Sequence, residues 1–197
     1  MNSKMDPMGR AIADYHKSKK ASKLRVFSPM FEENEIPLTT LFRSYESMPK
    51  IEQRALDMAK GRILDVGAAS GCHSLVLQER GLDVTAIDIS PLSVETMQER
   101  GVKKVLEQDF FTLEGQIDIP NEMDYYGEHS FQMQYKDTIG EPFNWLYIDA
   151  DTLKQKAGRY GYAVEVVTEG EHFDYLARIT KKEQWTSNKY ENTRCHS

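Results

Sequence analysis

Residues 62–101 constrain this chain more than any other stretch, because they run twice through apolar strand, tight turn, amphipathic helix and glycine. In the first pass Ile63, Leu64 and Val66 mark a buried strand over Arg62–Val66, and Asp65-Val66-Gly67-Ala68-Ala69-Ser70-Gly71 turns the chain. Gly71 opens a helix carrying Cys72, Leu75, Val76 and Glu79, and Gly81 stops it. In the second pass Asp83–Ile87 is the strand and Ser90-Pro91 pairs a helix cap with a first-turn proline. Leu92, Val94 and Met97 give that helix its packing face, and Gly101 ends it. Val102–Gln108 reads as a third, more polar strand suited to a sheet edge. Consecutive strand–helix units joined by short turns predict a parallel sheet with right-handed crossovers.

The flanks have other rhythms. Residues 1–60 read as mostly helical and polar, punctuated by Pro29, Pro37 and Pro49, either a lid over a ligand or an edge layer. Ile51, Ala55, Met58 and Ala59 share one face of a helix beginning near Pro49. Toward the C-terminus Ser130–Lys136 alternates, Asp137–Pro142 is a turn and Phe143–Ile148 is a strand, which together predict a hairpin. Asp151 is the expected cap of a helix reaching Arg159. Tyr162–Val167 and Tyr175–Thr180 are close enough for an antiparallel pair. The expected organisation is a helical cap over 1–60, a ligand-binding domain over 61–181 and a polar tail over 182–197.

Bulk properties exclude several classes. A net charge of −6 argues against a nucleic-acid partner, although His16–Lys23 is locally basic and reads as a solvated helix end. Cys72 and Cys195 are too few for a disulfide framework, no apolar run suits a membrane span, and the N-terminus has no apolar signal core. These features predict a cytoplasmic protein. His73, beside Cys72, lacks the further ligands of a metal site, so packing or exposure is its simpler reading and no metal is expected.

The chemistry concentrates where the strands end. Asp65, Asp88 and Asp109 all fall at carboxyl ends of expected parallel strands, the usual ligand rim of such a sheet. Gly67 and Gly71 let the backbone turn and approach a ligand closely. Asp65 can answer an ammonium group, and Asp88, 23 positions later, can accept two hydroxyl hydrogen bonds from a ribose. A dinucleotide fingerprint beginning at Gly67 would need glycine where Ala69 and Cys72 stand. A phosphate-binding loop would need lysine where Cys72 follows Gly71.

Ile63–Gly71, with Ala86-Ile87-Asp88-Ile89-Ser90 and Gln108-Asp109-Phe110, resembles a class I S-adenosylmethionine-dependent methyltransferase of the bacterial small-molecule type. The resemblance implies an α/β fold, a Rossmann-like three-layer sandwich with a mostly parallel sheet completed by antiparallel C-terminal strands. It implies that Asp65 with Gly67, Ala68, Ala69 and Gly71 holds the methionine part of S-adenosylmethionine. Asp88, with Ile89 and Ser90 behind it, would hold the ribose, and Asp109 with Phe110 would border the adenine. Ala69 stands where the family usually has glycine. The implied partner is a small-molecule methyl acceptor, handled by a monomer or homodimer. A cofactor binder without turnover and, less favoured, a dinucleotide-dependent oxidoreductase are the competing readings.

One departure is large. In the family a fourth strand lies beside the first at the sheet centre, but Gln116–Glu122, with two isoleucines and Pro120, is no buried strand. Three arrangements would fill the gap. The late strands lie beside Arg62–Val66, a partner chain supplies the edge, or, as favoured here, a segment is missing from this chain. The family's acceptor-facing residues follow that strand, so no catalytic residue is assigned. His16, His129 and His172 are unselected candidates for a general base. Tyr125-Tyr126 and Phe143–Tyr147 are aromatic-rich and suit either core packing or an acceptor pocket, and Arg43, Tyr45 and Glu46 are candidates for closing over the cofactor.

Overall fold

The computed structural model describes residues 5–112, 125–171 and 174–182. The chain forms two compact units, Met1–Tyr147 and Ile148–Ser197.

The first unit holds the parallel sheet. Strands β3 (Arg62–Val66), β4 (Asp83–Asp88) and β5 (Val105–Glu107) pair in that order. Asp65 lies opposite Ala86, and Asp88 opposite Glu107. Helix α4 (Cys72–Glu79) connects β3 to β4, and α5 (Pro91–Glu99) connects β4 to β5, as the repeated pattern requires. Ser90 caps α5 by accepting the Ser93 N–H at 3.0 Å, and Pro91 occupies the first turn. Leu77 and Val84 pack with Met48 and with Leu56 of α3 (Lys50–Met58). Ala68, Ala86, Met97 and Val102 form a second core around α5.

A separate antiparallel sheet stands where residues 1–60 read as mostly helical. Helix α1 (Pro7–Ser18) is as expected and α2 (Leu38–Leu41) is a single short turn, but β1 (Leu24–Phe27) and β2 (Asn34–Ile36) are strands. Strand β1 pairs with β6 (Glu128–Tyr135), setting Leu24 opposite Tyr135 and Val26 opposite Met133. The alternation of Phe131, Met133 and Tyr135 thus meets a second alternating strand, and both bury their apolar face with Ala11 of α1. Strands of four and three residues such as β1 and β2 are too short to carry much periodic signal and take their identity from the partner strand. Strand β7 (Thr138–Ile139) folds back on β6 within the expected turn, and β8 (Phe143–Leu146) completes the expected hairpin.

The α/β, Rossmann-like class holds, but its antiparallel strands form ladders of their own instead of completing the parallel sheet. Strands β6 and β8 pair with β1 and with each other, not with β3, so the first way of filling the gap fails for them. Among the described residues β3 has one neighbour, β4, and its Leu64 and Val66 are 47% and 45% exposed. The expectation for Gln116–Glu122 falls outside the described residues, as does the tail beyond residue 182.

The second unit comprises α6 (Ala150–Arg159), β9 (Tyr162–Glu169) and β10 (Tyr175–Lys181). Strands β9 and β10 form the expected antiparallel pair. The cap of α6 is Asp149, not Asp151: the Asp149 carboxylate accepts the Thr152 N–H at 2.8 Å, while Asp151 lies inside the first turn. Both are acidic and two apart, so composition alone did not separate cap from first-turn residue. No helix among the described residues is long and apolar enough to cross a membrane.

Met97 is fully buried between Ala68, Ala86 and Val102. Met97→Ala is expected to lower the unfolding free energy by about 2–5 kcal/mol. Urea denaturation measures this, and a loss below about 1 kcal/mol would show that the α5 core is loosely packed.

Candidate functional site

The turn between β3 and α4 is held in an unusual backbone path. Gly67 and Gly71 adopt φ of +65° and +77°, and Ala69, which has a Cβ, adopts +52°. The left-handed region costs an ordinary L-residue roughly 1–2 kcal/mol. Bonds on every side hold Ala69 there. The Ala68 N–H donates to Ile87 O at 3.1 Å, the Gly71 N–H to Ala68 O at 2.7 Å, and the Ala69 N–H to Asp88 Oδ2 at 2.9 Å. That φ accounts for the glycine that the resemblance leads one to expect at this place. At Gly71 there is also no room, because a Cβ would meet Val102 Cγ2 at 2.9 Å and Met97 Cγ at 3.0 Å. At Gly67 a Cβ would meet nothing within 4 Å among the described residues, which leave the loop open there.

Asp88 joins the two strand–helix turns. Its Oδ2 accepts the Ala69 N–H, and its Oδ1 accepts the Ser90 N–H at 2.9 Å. Each oxygen keeps a lone pair for a further donor. Burial pushes its pKa above the ordinary carboxylate value. The N–H bonds from Ser90 and Ala69 oppose that shift, and the nearby Asp6 carboxylate adds to it. Asp65 accepts the Ser74 hydroxyl at 2.6 Å. Because Asp65 faces Ala86 and Asp88 follows Ala86 by two residues, strand alternation puts both carboxylates on the same face of the sheet. Asp65 also borders a small cavity of about 190 Å³ with Glu52 and His73. Asp109 lies two residues beyond β5, and Phe110 opens the 3-10 turn Phe110–Thr112. Ile89 and Phe110 are 46% and 39% exposed, leaving apolar surface beside the two aspartates.

Several supporting residues gave no signal in the sequence. Arg100, at the end of α5, donates from Nη1 to Ser70 O at 2.5 Å and to Ser70 Oγ at 2.7 Å. Its guanidinium also lies 4.7 Å from the Phe42 ring centroid, and burial lowers its pKa. The Ser70 hydroxyl donates to Leu41 O, so the glycine turn is fastened to the N-terminal region as well as to α5. Asp6, 1% exposed, caps α1 by accepting the Gly9 N–H at 2.8 Å and accepts the Ser90 hydroxyl at 2.5 Å. An acid before a proline announces a helix cap, but its bond to a residue 84 positions away is not local information.

Other candidates fall elsewhere. Arg43 forks onto Glu52 at 2.7 and 2.8 Å. The Tyr45 hydroxyl donates to Asp57 at 2.7 Å, with Arg80 over its ring. Arg43 is thus engaged with α3, and Tyr45 with α3 and with Arg80 just after α4. His73 Nε2 is 3.1 Å from Glu52, and His16 Nε2 is 3.2 Å from Glu99. His172 lies outside the described residues. Tyr126, His129, Phe131, Trp145 and Tyr147 line a second, larger cavity of about 580 Å³.

Comparison with known proteins identifies the family. A family model described as a methyltransferase domain matches residues 64–125. A structure of a SAM-dependent methyltransferase from Bacteroides fragilis, in complex with S-adenosyl-L-homocysteine, is 42% identical with a TM-score of 0.85. That match covers 92% of this chain and 97% of the other. The sugar N-methyltransferase KedS8 from Streptoalloteichus sp ATCC 53650 is a weaker likeness, 12% identical with a TM-score of 0.48, covering 80% of this chain and 97% of that one. No curated protein matches the chain. The chain belongs to the S-adenosylmethionine-dependent methyltransferases.

Two outcomes test the site's energetics. Ala69→Gly is expected to raise stability by up to about 1 kcal/mol, the relief of left-handed strain being partly offset by glycine's unfolded-state entropy. A loss in thermal or urea denaturation would contradict the strained backbone. Because the folded-state pKa of Asp88 is raised, the native protein holds a proton where the unfolded chain has lost it. Stability relative to Asp88→Asn should therefore fall as pH rises from the ordinary carboxylate range through that raised value. Denaturation at a series of pH values between about 4 and 8 reads the slope, and the opposite sign would refute burial as the dominant cause.

Proposed function

We propose that this protein transfers a methyl group to a small-molecule acceptor in the cytoplasm, with Asp65, Gly67, Ala68, Ala69, Gly71, Asp88, Ile89, Ser90, Asp109 and Phe110 forming the cofactor site. The observation that carries the reading is the shared face of Asp65 and Asp88 around a glycine turn with open space before Gly67. S-adenosylmethionine, when bound, supplies a methyl group already activated on a sulfonium.

The protein's own residues would bind and orient. The remaining lone pairs of Asp88 suit two ribose hydroxyls, and the N–H groups of Ala69 and Ser90 keep both oxygens aimed. Asp65, fixed by Ser74, would answer the amino-acid ammonium. Ala68 and Ala69 direct their N–H groups into the protein, so their part is to hold the turn while Gly67 gives access. The exposed side chains of Ile89 and Phe110 would cover the faces of a purine, with Asp109 at its edge. Alignment of acceptor, methyl and sulfur and exclusion of water are then the main demands, and a good nucleophile needs no catalytic side chain.

Titration calorimetry tests the reading. S-adenosylhomocysteine should bind and NAD should not. Asp88→Ala should weaken S-adenosylhomocysteine by about tenfold or more, the equivalent of one charge-assisted hydrogen bond. Unchanged affinity would reject the ribose role, and absence of methyl release across an acceptor panel despite tight binding would favour a binder without turnover.

A further inference from the structure

The cavity of about 580 Å³ lies in the antiparallel sheet, away from the glycine turn, and the cofactor reading gives it no role. Its wall is aromatic. His129 pairs with Trp145 across β6 and β8, and Phe131 with Phe143. Side chains of paired residues share a face, so these four rings stand together. Phe31 stacks on Phe131 with centroids 6.0 Å apart and meets His129 edge-on at 5.0 Å. Trp145 and Tyr147 lie nearly parallel at 6.3 Å. Helix α1 and its apolar residues cover Met133 and Tyr135 on this face, but Phe31, Trp145 and Tyr147 are 51%, 41% and 54% exposed.

Among the described residues the carboxylates that line the cavity are those of Glu32 and Glu35, and no lysine or arginine lines it. Glu35 is held by Lys23 at 2.5 Å, and neighbouring Glu33 faces Arg25 at 3.6 Å. Glu32 has no ion-pair or hydrogen-bond partner among the described residues. The cation–ring contacts among the described residues involve Phe27, Phe42, Tyr45 and Tyr135, so no described lysine or arginine lies over the rings of Phe31, Phe131, Trp145 or Tyr147.

We infer that this cavity is a binding site for an organic ammonium ion. Ring faces attract a soft cation through their quadrupole, and an uncompensated carboxylate at the rim selects positive charge over a neutral molecule of equal shape. Its volume suits a small organic ligand. Occupancy is independent of the cofactor site, which uses none of these residues.

Choline and its uncharged isostere 3,3-dimethylbutan-1-ol are the probes, titrated into the full chain by calorimetry. Choline should bind at least about tenfold tighter than the isostere. Glu32→Gln, an exposed change that leaves the fold intact, should reduce the choline preference several-fold. Trp145→Ala should weaken choline by about tenfold, and both variants should keep the parent's affinity for S-adenosylhomocysteine. Equal binding of the two probes, no choline binding at millimolar concentration, or choline affinity unmoved by both substitutions would overturn the inference. Failure of S-adenosylhomocysteine to bind would instead overturn the cofactor reading and leave the choline result standing.

Discussion

The Asp88 carboxylate is the constraint on which the site depends. One oxygen accepts the N–H of Ala69 in the first strand–helix turn, and the other accepts the N–H of Ser90 in the second. A single side chain therefore sets the distance between the two turns at the rim of the sheet. Without it the left-handed backbone at Ala69 would lose a charge-assisted bond that holds it in a costly conformation. The same carboxylate is partly desolvated, so carrying its charge costs stability.

The rest of the first unit is built around those two turns. Arg100 reaches from the end of α5 to Ser70, and Ser70 reaches to Leu41, so the glycine turn is bonded both to the parallel layer and to the N-terminal region. Asp6 repeats the device at Ser90, linking the cap of α1 to the cap of α5. The N-terminal residues thus support the two turns, and their strands β1 and β2 join a second sheet that carries the aromatic cavity. Among the described residues strand β3, by contrast, pairs only with β4, and its Leu64 and Val66 are partly exposed beside an edge that a central strand of such a sheet would cover.

Much of the parallel layer was legible in advance because its signals are local. Apolar runs, capping pairs such as Ser90-Pro91 and glycines at positive φ act within a few residues of each other, and they located β3, α4, β4 and α5 to within a residue or two. The same locality placed the acidic residues at strand ends. It failed at β1, which pairs with a segment more than a hundred positions away, and at the three-residue β2, which pairs with β1. It also failed at the α6 cap, where two nearby aspartates carry the same local signal.

By itself, then, the sequence determined the repeated strand–helix units, the glycine turn and the acids that flank it, since each follows from neighbours in the chain. Tertiary structure alone decided that Ser70 is clamped by Arg100, that Asp6 meets Ser90, and that Phe31 and Trp145 share one aromatic wall. Those contacts join residues far apart in sequence, and only the folded register of strands and helices brings them within reach.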